Sequence, residues 1–194
     1  VAAGALYHFI WALLCDWYIE LVKPILLGEQ VQQREEVQHC LGYCLAQIYK
    51  LLHPFMPYIT EELWASFICN NNDHTPLALS TWPDLTFSNQ EAAADINWLI
   101  ALLNAIRSAR GEIHIPPSSL VDLQLWQPSV ETQQAVERHK ASLLRLGRLA
   151  KIFCSDVIPK SSVQLLVLGQ TFFIPLEGVI DIAAERSRLQ KELN

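Results

Sequence analysis

The 194-residue sequence has no Gly-rich phosphate loop, no His-x-x-x-His pair and no Gly-x-Ser-x-Gly elbow. The sequence marks of nucleotide-binding, zinc-hydrolase and serine-hydrolase sites are therefore missing. The six histidines are scattered, and no motif sets a Ser or Cys beside any of them, so no catalytic residue is expected. No apolar run reaches the roughly 18 residues of a membrane span. Val1 to Ala5 carry no basic leader region, so the expected location is the cytoplasm and no membrane contact is expected. The five cysteines are odd in number and form no Cys-x-x-Cys pair, which argues for reduced thiols over a disulfide framework. Cys40 and Cys44, with His39 beside them, offer too few ligands for a metal site, and none is expected.

Cations are scarce in the first part of the chain. Residues 1–113 hold 5 Lys/Arg against 12 Asp/Glu, a net charge of −7, whereas residues 114–194 hold 9 against 8. A broad electrostatic footprint for nucleic acid is thus excluded there, and any RNA contact must be local.

What is present is a globular composition, with 51% hydrophobic and 18% charged residues, enough for a real core. Leu6, Phe9/Ile10, Leu13/Leu14, Trp17/Tyr18 and Leu21 recur at helical spacing with no capping residue before them, and the chain is expected to open inside a cut helix. Pro24 predicts a stop or kink and Gly28 a turn. A second helix, carrying Val37, Leu41, Cys44/Leu45, Ile48 and Leu51/Leu52, runs to His53-Pro54. After Pro54 and Pro57 a third helix is predicted, with Ile59, Leu63 and Phe67 as its apolar stripe and Glu61 and Glu62 near its start. Residues 70–84 read as a polar surface connection. A fourth helix is predicted from Gln90 to Gly111, with Ile96, Leu99/Ile100, Leu103 and Ile106 facing the core.

Beyond Ile115-Pro116-Pro117 the period changes to two. Val121, Leu123 and Leu125 alternate with Asp122 and Gln124 as in a half-buried strand. Ser129 is placed to cap a helix carrying Val136, Leu143 and Leu146. Residues 151–156 and 163–168 read as strands, and Gly169-Gln170 as a two-residue hairpin leading into 171–174. Val179, Ile182, Leu189 and Leu193 follow a 3-4 spacing that predicts the start of a coiled coil. The predicted fold is mainly α, divided into a helical bundle over 1–113, a small mixed α/β unit over 114–177 and a truncated coiled-coil arm over 178–194.

Two strings are more specific than any periodicity. Cys15-Asp16-Trp17-Tyr18-Ile19-Glu20, then Lys23-Pro24, is followed by His53-Pro54-Phe55-Met56-Pro57-Tyr58-Ile59-Thr60-Glu61-Glu62-Leu63-Trp64. Together they resemble the anticodon-binding helical domain of class I aminoacyl-tRNA synthetases. Arg107-x-x-Arg110-x-Glu112 leading into Ile115-Pro116-Pro117, and Pro175-Leu176-Glu177-Gly178-Val179-Ile180-Asp181, make the likeness greatest to the valyl-tRNA synthetase family. The order of blocks agrees along nearly the whole chain. One departure is Ala12-Leu13, where relatives commonly carry polar residues.

The resemblance implies a non-catalytic C-terminal fragment of an aminoacyl-tRNA ligase. The intact enzyme would join valine to its tRNA, with ATP bound by an absent catalytic portion and no cofactor in this stretch. The implied partners are valine tRNA and the rest of the parent synthetase, and a monomer is expected. The alternatives are a helical protein-interaction module or the corresponding domain of an isoleucyl- or leucyl-tRNA synthetase.

Within that reading the third helix's entry, rigid between two prolines and close to free backbone N–H groups, makes Thr60, Leu63 and Trp64 candidate RNA contacts. Lys50 and His53, one turn earlier, are candidates for phosphate. Arg107 and Arg110, three apart on one face, suit either phosphate or a structural ion pair. Trp11, Trp17, Tyr18 and Trp64 are candidates for base stacking, although their spacing favours core packing. Asp16 is expected to be buried and architectural. Arg138, Lys140, Arg145, Arg148 and Lys151 form the one local basic concentration, which reads either as a solvated face or as a backbone-contact surface.

Overall fold

A computed structural model describes residues 1–67, 75–84 and 87–177. The predicted arm over 178–194 lies outside the described residues. The chain divides into two compact units, Val1–Phe87 and Ser88 onward.

The first unit is helical. α1 (Ala2–His8) continues through a π-helical stretch, Phe9–Ile19, into α2 (Glu20–Leu26). A π turn closes on residue i+5 and so moves side chains out of the 3.6 phase. The predicted stripe is accordingly split. Leu14 and Trp17 are buried while Phe9 and Leu13 are exposed. Pro24 does not end the helix, which runs on to Leu26. The stop comes at Gly28, where a Cβ would stand 2.9 Å from the Pro24 carbonyl oxygen. Only glycine accepts so tight a closure without a shift.

α3 (Val31–Leu52) packs on α2 and on α4 (Pro57–Phe67), with Ile48 as its buried residue. Proline at the first position of α4 lacks an N–H that the helix could not have used. The predicted stripe on α4 is corrected: Ile59 and Phe67 are exposed, and the buried side chain is Thr60. The predicted connection over 70–84 also needs correction within its described part. It holds a short 3-10 turn, Leu77–Leu79, with Leu77 buried. The Glu61 carboxylate fixes this turn by accepting the Leu77 N–H at 2.9 and 3.1 Å.

The second unit has a denser core. α5 (Gln90–Glu112) starts at Asn89, whose side chain accepts the Ala92 N–H. The sequence reading placed this helix with residues 1–113, yet its packing partners are elements of the second unit. Leu99, Leu102, Leu103 and Ile106 are fully buried, an apolar face that needs a second layer to cover it. A four-stranded mixed sheet supplies the layer: β1 (Val121–Trp126), β2 (Leu149–Cys154), β3 (Ser162–Val167) and β4 (Gln170–Pro175), in the order β2-β1-β4-β3. β1 and β2 run parallel, and β4 runs antiparallel to both neighbours.

Leu125, Phe172 and Leu165 lie in one cross-strand row, and all are buried. α5 packs against β3, and α7 (Lys140–Leu146) against β2. α6 (Val130–Arg138) precedes α7 and is capped by Ser129, which accepts the Thr132 N–H as expected. The single helix predicted there is broken at His139, whose ring bonds Asp95 of α5 at 2.7 Å. Arg138 pairs with the other oxygen of the same carboxylate. These two contacts, Arg138 first, hold the Asp95 carboxyl below its ordinary pKa.

Gln124 departs from the half-exposed expectation. It is buried, and its amide donates to the carbonyls of Val157 at 2.7 Å and Ser155 at 3.3 Å. The hairpin turn is Leu168-Gly169, one residue earlier than predicted, with φ of +47° and +81°. Positive φ at both central residues matches the twist of the flanking strands.

Candidate nucleic-acid interface

Five of the seven candidate residues meet at the corner between α3 and α4. The corner closes through backbone bonds from Phe55 and Met56 to the Leu52 carbonyl. Thr60, one turn into α4, is 1% exposed. Its hydroxyl donates to the Met56 carbonyl at 2.8 Å and lies 2.8 Å from His53 Nδ1. The two residues thus stitch the end of α3 to the start of α4. In this geometry the Thr60 hydroxyl is used internally, and what it contributes is the shape of the corner.

The outward-facing part of the corner is different. Lys50 Nζ stands 5.8 Å from the centre of the Trp64 ring, a cation–π contact. The Trp64 indole N–H donates to the Thr75 carbonyl at 3.1 Å, and Leu63 is half-buried beside it. Phe55, Met56, Tyr58 and Ile59 are exposed around them, Tyr58 at 91%. Sequence reasoning missed Tyr58, although its place just after Pro57 on the first turn of α4 was legible.

Thr60→Val tests the stitch, because the change keeps shape and removes the hydroxyl. Leaving a buried partner unsatisfied costs about 1–3 kcal/mol. Urea unfolding of the full chain should register that loss; an unchanged midpoint and slope would show that the hydroxyl contributes nothing.

The aromatic candidates separate by exposure. Trp17 is buried and Tyr18 half-buried, where burial and then the neighbouring Cys40 raise the phenol pKa. Trp11 is 61% exposed and lies parallel to Tyr7, with ring centroids 6.2 Å apart and planes 4° apart. Asp16, expected inside, is exposed, on the π-helical stretch next to the buried Trp17, where its carboxylate stays in water and needs no buried partner. No group of three or more His, Cys, Asp or Glu is placed to hold a metal among the described residues. Likewise, no described helix is long and apolar enough to cross a membrane.

Arg107 and Arg110, in the second unit, have different settings. Arg110 is 8% exposed, and its Nη2 donates to the carbonyls of Ser119 at 2.7 Å and Pro116 at 3.0 Å. It holds the Ile115–Ser119 segment against α5. Burial, and then the charge of Arg148, lower its pKa from the ordinary arginine value. Arg107 is exposed and lines a cleft of about 330 Å³ with Arg110 and Arg148. The wider basic concentration is largely paired. Arg138 meets Asp95, Lys140 meets Glu137 and Lys151 meets Asp122.

Comparison with known proteins identifies the family, and the matched segment crosses the division between the two units. The profile of the anticodon-binding domain of tRNA ligase matches residues 1–125, running from α1 through α5 into β1. A valine--tRNA ligase of Agrobacterium fabrum is 44% identical over 193 residues, covering 99% of this chain and 20% of that protein. Valine--tRNA ligases of Brucella suis and Bartonella henselae are 43% and 44% identical, covering 98% and 100% of this chain and 21% of each relative. The chain thus spans about a fifth of the length of the curated relatives it matches. With the profile covering well over half of the residues and the helical corner in place, the chain belongs to the family of anticodon-binding domains of tRNA ligases.

Proposed function

We propose that this chain supplies the anticodon-binding region of a valine–tRNA ligase and takes no part in the chemistry. In the intact protein, valine would be joined to its tRNA at the expense of ATP, bound outside this stretch. The observation that carries the valine assignment is the 41–44% identity to valine--tRNA ligases along essentially the whole chain. The reading takes the protein as cytoplasmic and monomeric.

The surface chemistry suits unpaired bases better than a duplex backbone. Residues 1–87 hold 3 Lys/Arg against 9 Asp/Glu, a poor match for a run of phosphates. Exposed flat rings are present in the Tyr7–Trp11 stack and Tyr58, and the half-buried Trp64 carries Lys50 over its ring. Bases stack on such rings with about 1–3 kcal/mol per base and need no matching charge. Lys50, Leu63, Trp64 and Tyr58 are the contacts expected at the α3–α4 corner, with His53 and Thr60 holding it in shape.

The test is a titration of labelled valine tRNA, an anticodon-exchanged version and an unrelated tRNA at several salt concentrations. Preference for the valine anticodon is expected, together with roughly tenfold weaker binding for Trp11→Ala. The chain alone should give no valine-dependent ATP–pyrophosphate exchange. Equal, vanishing affinity for all three RNAs would refute the reading and favour a protein-binding module.

A further inference from the structure

One face of α4 carries residues that neither the Thr60 stitch nor the Lys50–Trp64 contact uses. Tyr58, Glu61, Glu62 and Ala65 recur at helical spacing, so they share one side of the helix. With Pro57, and with His53 at the end of α3, they line a cleft of about 380 Å³.

The hydrogen bonds around Thr60 decide which nitrogen of His53 carries the proton. The Thr60 hydroxyl has one hydrogen, and the Met56 carbonyl oxygen 2.8 Å away can only accept it. His53 Nδ1, also 2.8 Å from the hydroxyl oxygen, must then be a donor. In the neutral imidazole this leaves Nε2 as an acceptor. The same bond fixes the orientation of the half-buried ring.

Carboxylates add to that acceptor. Glu61 already accepts the Leu77 N–H at 2.9 Å, whereas Glu62 is exposed, and an ionised carboxylate accepts without donating. Tyr58, 91% exposed, sets a flat ring on the same face. A ring beside two acceptors selects among bases. Cytosine and adenine offer an amine with two hydrogens at the place where uracil offers a carbonyl oxygen, and glutamate accepting from the cytosine amine is a recurrent pairing. Unpaired bases are held in this way, stacked on an aromatic ring and bonded along their pairing edge. A site built on hydrogen bonds discriminates more sharply than a stack does, because the wrong base leaves its acceptors facing an oxygen.

We propose that this cleft holds an unpaired base by its exocyclic amine, with His53 Nε2 and the Glu62 carboxylate each accepting one amine hydrogen and Tyr58 stacking on the base. On the anticodon-binding reading, on which this part rests, the base is a cytosine or an adenine of the anticodon. His53 and Glu62 are then specificity-determining residues. Stacking elsewhere in the first unit adds affinity whatever the base, and this cleft adds base identity.

The test has two arms on the full 194-residue chain. The first compares short oligocytidine with oligouridine by fluorescence anisotropy and follows the imidazole nitrogens of His53 by NMR. Nδ1 should carry the proton of the neutral ring. Oligocytidine should shift Nε2 saturably and bind about tenfold tighter than oligouridine. Glu62→Ala, which suits an exposed helical position, should bring the two oligonucleotides to near parity. Glu35→Ala, the same charge change at an exposed residue of α3 away from these walls, should keep the preference. Equal affinity for the two oligonucleotides, or equal loss in both variants, overturns the site.

The second arm uses valine tRNA in which each anticodon base bearing an exocyclic amine is replaced in turn by its amine-free analogue. One such replacement should cost the unaltered chain about tenfold in affinity and cost the Glu62→Ala variant nothing further. A preference for oligocytidine with indifference to every anticodon amine overturns the anticodon assignment and leaves a site for other unpaired bases. The same preference in a chain that binds no tRNA at any salt refutes the anticodon-binding reading instead, because the first arm does not depend on it.

Discussion

Replacing Phe172 by alanine is expected to cost about 3–5 kcal/mol, the largest single loss in the second unit. The side chain is 0% exposed and sits on β4, the strand that bonds to β1 on one side and β3 on the other. It pairs with Leu125 across one ladder and Leu165 across the other, so a cavity here opens at the middle of the buried row. Two linked ladders limit how far the walls can collapse, which puts the cost toward the upper part of the range for large-to-small changes. Phe172→Leu keeps most of the volume and should cost less than about 1.5 kcal/mol. Urea unfolding followed by far-ultraviolet circular dichroism measures both. If the alanine variant lost no more than the leucine variant, the central position assigned to this ring would be wrong.

Arg110→Ala is expected to destabilise by about 2–4 kcal/mol. The change removes a buried stem and both donors to the Pro116 and Ser119 carbonyls, each unmade bond costing about 1–3 kcal/mol where water cannot replace it. Part of this is offset, because the unpartnered Nη1 and its desolvation disappear with the side chain. Arg110→Lys retains the charge but not the fork, so it should recover less than half of the loss. Amide hydrogen exchange gives a local check. Protection of Ile115 and Ser119, whose N–H groups bond to the Arg110 and Pro116 carbonyls, should fall further than that of Leu103 in the middle of α5. A uniform fall across α5 would mean that the side chain stabilises the helix itself rather than the segment after it.

The sequence announced elements better than it announced their phase. α3, α5 and all four strands were legible because a residue of known conformational preference stands near their ends: Asn89 before α5, Pro116-Pro117 before β1, Gly169 in the hairpin. The π-helical stretch carries no such mark, and a 3.6-residue template therefore assigned Phe9 and Leu13 to the core when they face outward. Likewise, Leu168 at φ +47° is held by the ladder hydrogen bonds of β3 and β4, not by any preference of leucine.

At the candidate site the α3–α4 corner was legible as a place. The division of labour within it was not. Thr60 and Trp64 lie four apart on one helix, yet the first is sealed by His53 and the second remains partly open beside Lys50. Arg148 was visible only as one of several cations. That it lines one cleft with Arg107 and Arg110 depends on the packing of α7 on β2 and on α5, which no periodicity announces.

The strand order also dictates when this unit can be finished on a ribosome. β1 is central, but its neighbour β4 follows by roughly 50 residues. At about 5–20 residues per second, β1 waits roughly 3–10 s after emerging before that partner exists. During this interval its open edge is a template for any other extended chain. The parallel partner β2 arrives sooner and covers one side only. Slower translation of residues 127–169 would lengthen the exposure, and loss of material through aggregation should then rise even though the finished protein is unchanged.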